Sequence, residues 1–102
     1  MLLLPTTVTI AEARDTLRML AQAVPSEAGT EIVLDASGMK RFDTSALAVL
    51  LECKRLAQAD GKRFAVVRAP PKLADLARLY GLDALLLPAS AARAAGTQAD
   101  GK

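Results

Sequence analysis

Ile32-Val33-Leu34-Asp35, then Ala36-Ser37-Gly38-Met39-Lys40-Arg41-Phe42, then Asp43-Thr44-Ser45-Ala46-Leu47, is the stretch that decides the fold of this 102-residue chain. The uninterrupted apolar run suits a central strand covered on both faces. The polar loop beyond it leads into a hydroxyl-rich helix start, where the first backbone N–H groups have no partner within the helix. A rim outside the carboxyl end of a strand is where open α/β sheets present their recognition groups.

Toward the N-terminus, residues 2–4 read as a short first strand ended by Pro5, and residues 8–10 extend the ribbon. Thr9 and Glu12 have the spacing of a capping box, in which hydroxyl and carboxylate each satisfy an orphan N–H. Ala13, Leu17, Leu20, Ala21 and Val24 then recur at helical spacing, with Arg14, Asp15, Arg18 and Gln22 on the other side. Pro25, Ser26 and Gly29 end that helix.

Toward the C-terminus, a second helix runs from Ser45. Ala46, Leu47, Leu50, Cys53, Lys54 and Ala57 form its stripe, Glu52, Arg55 and Gln58 lie outside it, and Asp60-Gly61 stops it. Residues 64–67 read as a third strand. Pro71 opens a helix whose Leu73, Leu76, Ala77 and Tyr80 share a face, and Gly81 closes it. Residues 82–87 read as a closing turn plus an edge strand. Residues 89–102 lack periodic leucines and are expected to be a disordered tail after a domain over 1–88. Strands and helices alternate with crossovers of a length that joins parallel strands. The fold class is therefore α/β, a small mixed sheet with a parallel centre packed by three to four helices.

Composition narrows the function. The chain is 52% hydrophobic but only 3% aromatic, so its core rests on Leu, Val, Ile and Ala. It has no His, which removes the commonest acid–base catalyst and metal ligand. Neither a Gly-rich phosphate loop nor a catalytic carboxylate pair is visible, so no enzyme activity, metal or cofactor is expected. The single cysteine, Cys53, falls on the apolar stripe and reads as a buried hydrophobe. A net charge of +2 with interspersed signs gives no footprint for nucleic acid. The opening Met1-Leu2-Leu3-Leu4-Pro5 is far too short for a signal core or a membrane span, so a cytoplasmic protein without direct membrane insertion is expected.

Asp43, Thr44 and Ser45 are all capping residue types, and capping alone explains one of them. The plain alternative is that the other two are only soluble turn residues. What exceeds capping is the apolar Leu47-Ala48-Val49-Leu50-Leu51, which makes the first turns of the helix greasy nearly all round. One face packs on the sheet, and the face around Ala48, Glu52 and Arg55 is left for a partner. A phosphate on Thr44 would meet unpaired N–H groups and the positive end of the helix dipole, opposed by Asp43. It would act outward, by adding charge and bulk at an interface, rather than by unfolding the domain.

At these residues the chain resembles the STAS family of bacterial anti-sigma-factor antagonists and sulfate-transporter tails. The resemblance covers the short N-terminal strand, the strand ending in Asp35-Ala36-Ser37, the Asp43-Thr44-Ser45 helix start and the strand before Pro70-Pro71. The Leu76-Ala77-Arg78-Leu79-Tyr80-Gly81-Leu82 segment is most similar to the family's small cytoplasmic subunits of Gram-negative phospholipid-transporting ABC complexes. That resemblance implies a non-catalytic role supporting the ATPase subunit, peripheral to the inner membrane, with Arg41, Asp43, Thr44, Ser45, Ala48, Glu52 and Arg55 at the contact. In the antagonist branch the first hydroxyl after the Asp is phosphorylated. Thr44 holds that position, which implies the alternative of an anti-sigma kinase as partner. Many members carry Gly where this chain has Ala46, a change that favours helix by about 0.8–1.0 kcal/mol and weakens the kinase reading. Some STAS domains bind nucleotides, which makes the loop 36–43 a ligand candidate.

Overall fold

Strand β3 (Glu31–Asp35) lies at the centre of a three-stranded sheet, between β1 (Leu2–Leu3) and β5 (Arg63–Val67), and both pairings are parallel. The computed structural model describes residues 1–87. A second parallel ladder joins β2 (Thr7–Val8) to β4 (Arg41–Phe42). The helices are α1 (Ala13–Ala23), α2 (Thr44–Ala59), α3 (Pro71–Leu79) and α4 (Asp83–Leu86), with a 3₁₀ turn over Val24–Ser26 after α1. The α/β class with four helices holds, and every ladder among the described residues is parallel. The tail expected to be disordered lies outside the described residues.

Strand parity decides what is covered. Ile32, Leu34 and Val66 alternate onto one face and are buried with Leu20, Leu50, Cys53 and Leu73 in a single core. Val33 and Val67 fall on the opposite face and are half-buried, and Leu3 beside them is 71% exposed. The expectation that β3 is covered on both faces is thus corrected: the core closes one side of the sheet only. An apolar run shows that both faces tolerate burial, not that the chain supplies enough helix to bury both.

Helix ends follow their residues. Gly61 and Gly81 adopt φ of +72° and +71°, the left-handed conformation that glycine enters without a Cβ clash, just beyond α2 and α3. The helix expected to start at a Thr9 cap starts later: Glu12 is the N-cap of α1 and no side chain caps it, while the Glu12 carboxylate accepts from the Thr9 N–H at 2.8 Å within the turn before the helix. The Thr9 hydroxyl donates to that same carboxylate oxygen at 2.6 Å. These bonds to Thr9 hold the Glu12 carboxyl below its ordinary value.

Two expectations near the C-terminus are corrected. Residues 82–87 form no edge strand: Leu86 N–H donates to Leu82 O at 2.9 Å and Leu87 N–H to Asp83 O at 2.7 Å, closing one turn of helix. The segment has no β-branched residue, and Asp83 suits the positive end of a helix. The turn buries Leu86 completely and leaves Leu85 48% exposed. Tyr80, expected on the buried face with Leu73 and Ala77, is the C-cap of α3 and stands exposed.

Asp35 closes β3 as a buried carboxylate. It accepts from Arg68 Nη2 at 2.6 Å and from the Ser37 N–H at 2.9 Å. Arg68 makes this contact from a left-handed backbone, φ +54°, unusual for a residue with a side chain. The guanidinium first, and the Ser37 amide second, hold the Asp35 carboxyl far below the usual carboxylate range. Cys53 is fully buried, and burial pushes its thiol up to about 11. No described helix is long and apolar enough to cross a membrane.

Leu86→Ala is expected to cost about 2–5 kcal/mol in denaturant melts, against roughly 0.5 kcal/mol or less for Leu85→Ala. Equal effects would show that α4 does not pack as described. Because the folded-state pKa of Asp35 is lowered, its ion pair stabilises the fold above the unfolded pKa of about 3.9 and loses that effect as pH falls through the folded value. Arg68→Ala should therefore lower Tm at pH 7, with the difference from wild type shrinking as the pH drops below about 4. A difference independent of pH would contradict this.

Candidate functional site

Asp43 is extended, φ −132° and ψ −165°, and stands as the N-cap of α2 directly after β4. Its Oδ1 accepts from the Ser45 N–H at 2.8 Å, as a capping carboxylate does. Its Oδ2 reaches across 33 positions of sequence to the Ile10 N–H, at 3.2 Å. The Ser45 amide is the larger cause, with the Ile10 amide adding to it, that holds the Asp43 carboxyl below its ordinary value. One ionised side chain thus fastens the start of α2 to the turn that precedes α1.

That junction opens an apolar groove of about 320 Å³ between the two helices, lined by Ile10, Ala13, Arg14, Leu17, Ser45, Ala48 and Val49. Its small side chains, Ala13, Ser45 and Ala48, give room for a bulky group to approach the helix backbones. Ile10 stands at the lining with 79% of its surface exposed. Covering it would contribute about 1.5–3 kcal/mol, which makes its exposure notable in so small a core. Thr44 is the first residue of α2 and is exposed, and among the described residues its hydroxyl has no hydrogen-bond partner.

The candidate residues separate into two groups. Asp43, Thr44, Ser45 and Ala48 gather at the start of α2, with Ser45 and Ala48 in the groove itself. Arg41 is exposed on β4 and does not line the groove. Glu52 and Arg55 continue the Thr44–Ala48 side of the helix one and two turns on, where they pair with each other, Arg55 Nε donating to Glu52 Oε1 at 3.0 Å. Each holds the other charged: the Arg55 guanidinium lowers the Glu52 carboxyl, and Glu52 raises Arg55.

Five of the seven lining residues, Ile10, Ala13, Arg14, Leu17 and Val49, fall outside those the sequence singled out for the site. Ala13 and Leu17 read as packing residues and Arg14 as a solvated one, yet all three border the same opening. The available signal was Ile10, which stands three and seven residues before Ala13 and Leu17 and so extends their stripe back into the turn before α1.

The loop after β3 offers little to a ligand. The N–H groups of Ala36, Ser37, Met39, Lys40 and Arg41 donate to Val67 O, Asp35 Oδ1, Ala36 O, Thr6 O and Thr6 O, between 2.8 and 3.1 Å. These five amides are spent within the fold, which fixes the loop as a strut between the sheet and β4. Among the described residues no three His, Cys, Asp or Glu side chains gather to hold a metal.

No curated protein matches the chain. The family described as "Mlab, STAS domain" matches it over residues 1–88. This span includes every element described above, from β1 to α4, with the Asp43-capped helix at its centre. On that match the chain belongs to the STAS domain family, in its MlaB-like branch.

Proposed function

We propose that this chain is a non-catalytic accessory subunit that binds and supports the ATPase of an ABC-type phospholipid transport system, one that maintains outer-membrane lipid asymmetry. On this reading it sits on the cytoplasmic side of the inner membrane and is held there by its partner. The observation that carries the proposal is the apolar groove between α1 and α2 beside the exposed Thr44, in a chain of the MlaB-like STAS branch. The groove supports docking because its lining is apolar while the rim carries an unburied isoleucine, a combination typical of surfaces that another polypeptide covers. Ala48 is exposed in that lining and small enough for a partner helix or loop to come close. Arg41, Asp43, Thr44, Ser45, Glu52 and Arg55 surround the contact, with Asp43 acting from behind as the cap.

A second reading, an anti-sigma-factor antagonist switched by phosphorylation of Thr44, is favoured by the free, exposed hydroxyl of that residue. The positive end of α2 would tolerate a dianion there, and Asp43 would oppose it. The two readings differ in what they ask of Thr44: the subunit needs its shape, the switch needs its phosphate.

Co-expression with the ATPase of the organism's phospholipid ABC complex, followed by size-exclusion chromatography and ATP-turnover assays, tests the first. The wild-type chain should co-elute with the ATPase and raise its turnover. Ala48→Glu and Thr44→Glu should stay folded by circular dichroism and weaken the complex at least tenfold. Mass spectrometry of the chain isolated from its native cell should find Thr44 unmodified. A wild-type chain that fails to bind the ATPase, or a phosphorylated Thr44 with a co-purifying kinase, would reject the proposal in favour of the switch.

A further inference from the structure

Arg14 is the one charged residue in the lining of the groove. Elsewhere on the helices arginine is matched at i,i+3: Arg18 with Asp15 at 3.6 Å, Arg78 with Asp75 at 3.0 Å, and Arg55 with Glu52. Arg14 has no ion pair or hydrogen bond among the described residues. The carboxylates at the two helix starts and beside it in sequence are already committed, Glu12 to Thr9, Asp43 to the Ser45 and Ile10 amides, and Asp15 to Arg18. The groove therefore joins an apolar lining to a guanidinium that the chain leaves without a counter-charge.

We infer that the groove takes a polypeptide segment of the partner that places a bulky apolar side chain between α1 and α2 and an Asp or Glu against Arg14. This rests on the reading of the chain as a docking subunit and specifies the chemistry of the surface it meets. Charge complementarity selects the acidic residue, since a planar guanidinium pairs with a carboxylate through two parallel N–H···O bonds. The groove's size and small lining residues select the anchor. Ala13, Ser45 and Ala48 leave space that one leucine, methionine or phenylalanine fills, while Ile10 and Leu17 flank it. An acid in place of Arg14, or a long side chain in the lining, would reverse the preference.

The test is the affinity of the purified chain for the purified ATPase subunit, measured at 50 and 300 mM NaCl for the wild type, Arg14→Ala, Arg14→Glu and, as a control outside the groove, Arg18→Glu. Arg14 is exposed, so these variants should fold, which thermal melts verify. Arg14→Glu should bind at least tenfold more weakly at low salt, and Arg14→Ala threefold to tenfold more weakly with a reduced dependence on salt. Arg18→Glu should stay within about threefold of the wild type. Wild-type binding that Arg14→Glu leaves unchanged overturns this inference and spares the docking reading. A wild type that does not bind the ATPase overturns both. Arg14-dependent binding to vesicles of phosphatidylglycerol and phosphatidylethanolamine, without such dependence for the ATPase, would assign the groove to lipid and overturn the polypeptide assignment.

Discussion

The carboxylate of Asp43 is divided between two backbone amides that belong to different elements, Ser45 at the start of α2 and Ile10 in the turn before α1. That sharing ties the two helix starts together at the groove. The first bond sets where α2 begins and so presents Thr44 outward at its first position. The second holds the turn that carries Ile10 at the mouth of the groove. The Thr9–Glu12 bonds close that turn internally, and the Asp43 bond ties it to the start of α2. The bonds favour the ionised carboxylate, so the junction is firmest where the carboxylate is charged.

Behind this junction the molecule is an ordinary small α/β core. Leu20, Ile32, Leu34, Leu50 and Leu73 fill it, with Phe42 and Phe64 packed half-buried at its margin, and the sheet supplies a frame on which β4 and α2 are hung. The link from frame to surface runs through the loop after β3. Its amides bond back to Thr6, Asp35, Ala36 and Val67, so β4 and the cap that follows it start from a fixed position. The Asp35–Arg68 pair secures the same edge of the sheet from the β5 side.

Much of this was legible in the sequence because periodicity and punctuation agree. The stripe through Leu47, Leu50, Cys53 and Ala57, the Asp60-Gly61 stop and the proline entry to α3 each name one conformation, and the chain adopts them. Two-residue strands have no period, so β4 and its ladder with β2 could not be read. The leucines of 82–87 fit a buried strand or a buried turn of helix equally well, and length alone did not decide between them. The half-open face of Val33 and the placement of Arg14 in the groove are tertiary facts. They depend on how α1 lies along α2 and on how much helix is left to cover the sheet. At the site, the cap at Asp43 and the outward Thr44 were readable from residue type, while Ile10, Ala13, Arg14 and Leu17 were not, because their role exists only across the two helices.

The central claim is that the opening between α1 and α2 is the part of this surface another polypeptide covers. Amide hydrogen exchange of the chain, alone and with the ATPase subunit, measures this most directly. The account predicts that slowed exchange on binding concentrates in residues 9–17 and 44–49, with the open face of the sheet around Val33 and Val67 unchanged. Protection confined to that sheet face, or none at the two helix starts, would contradict it.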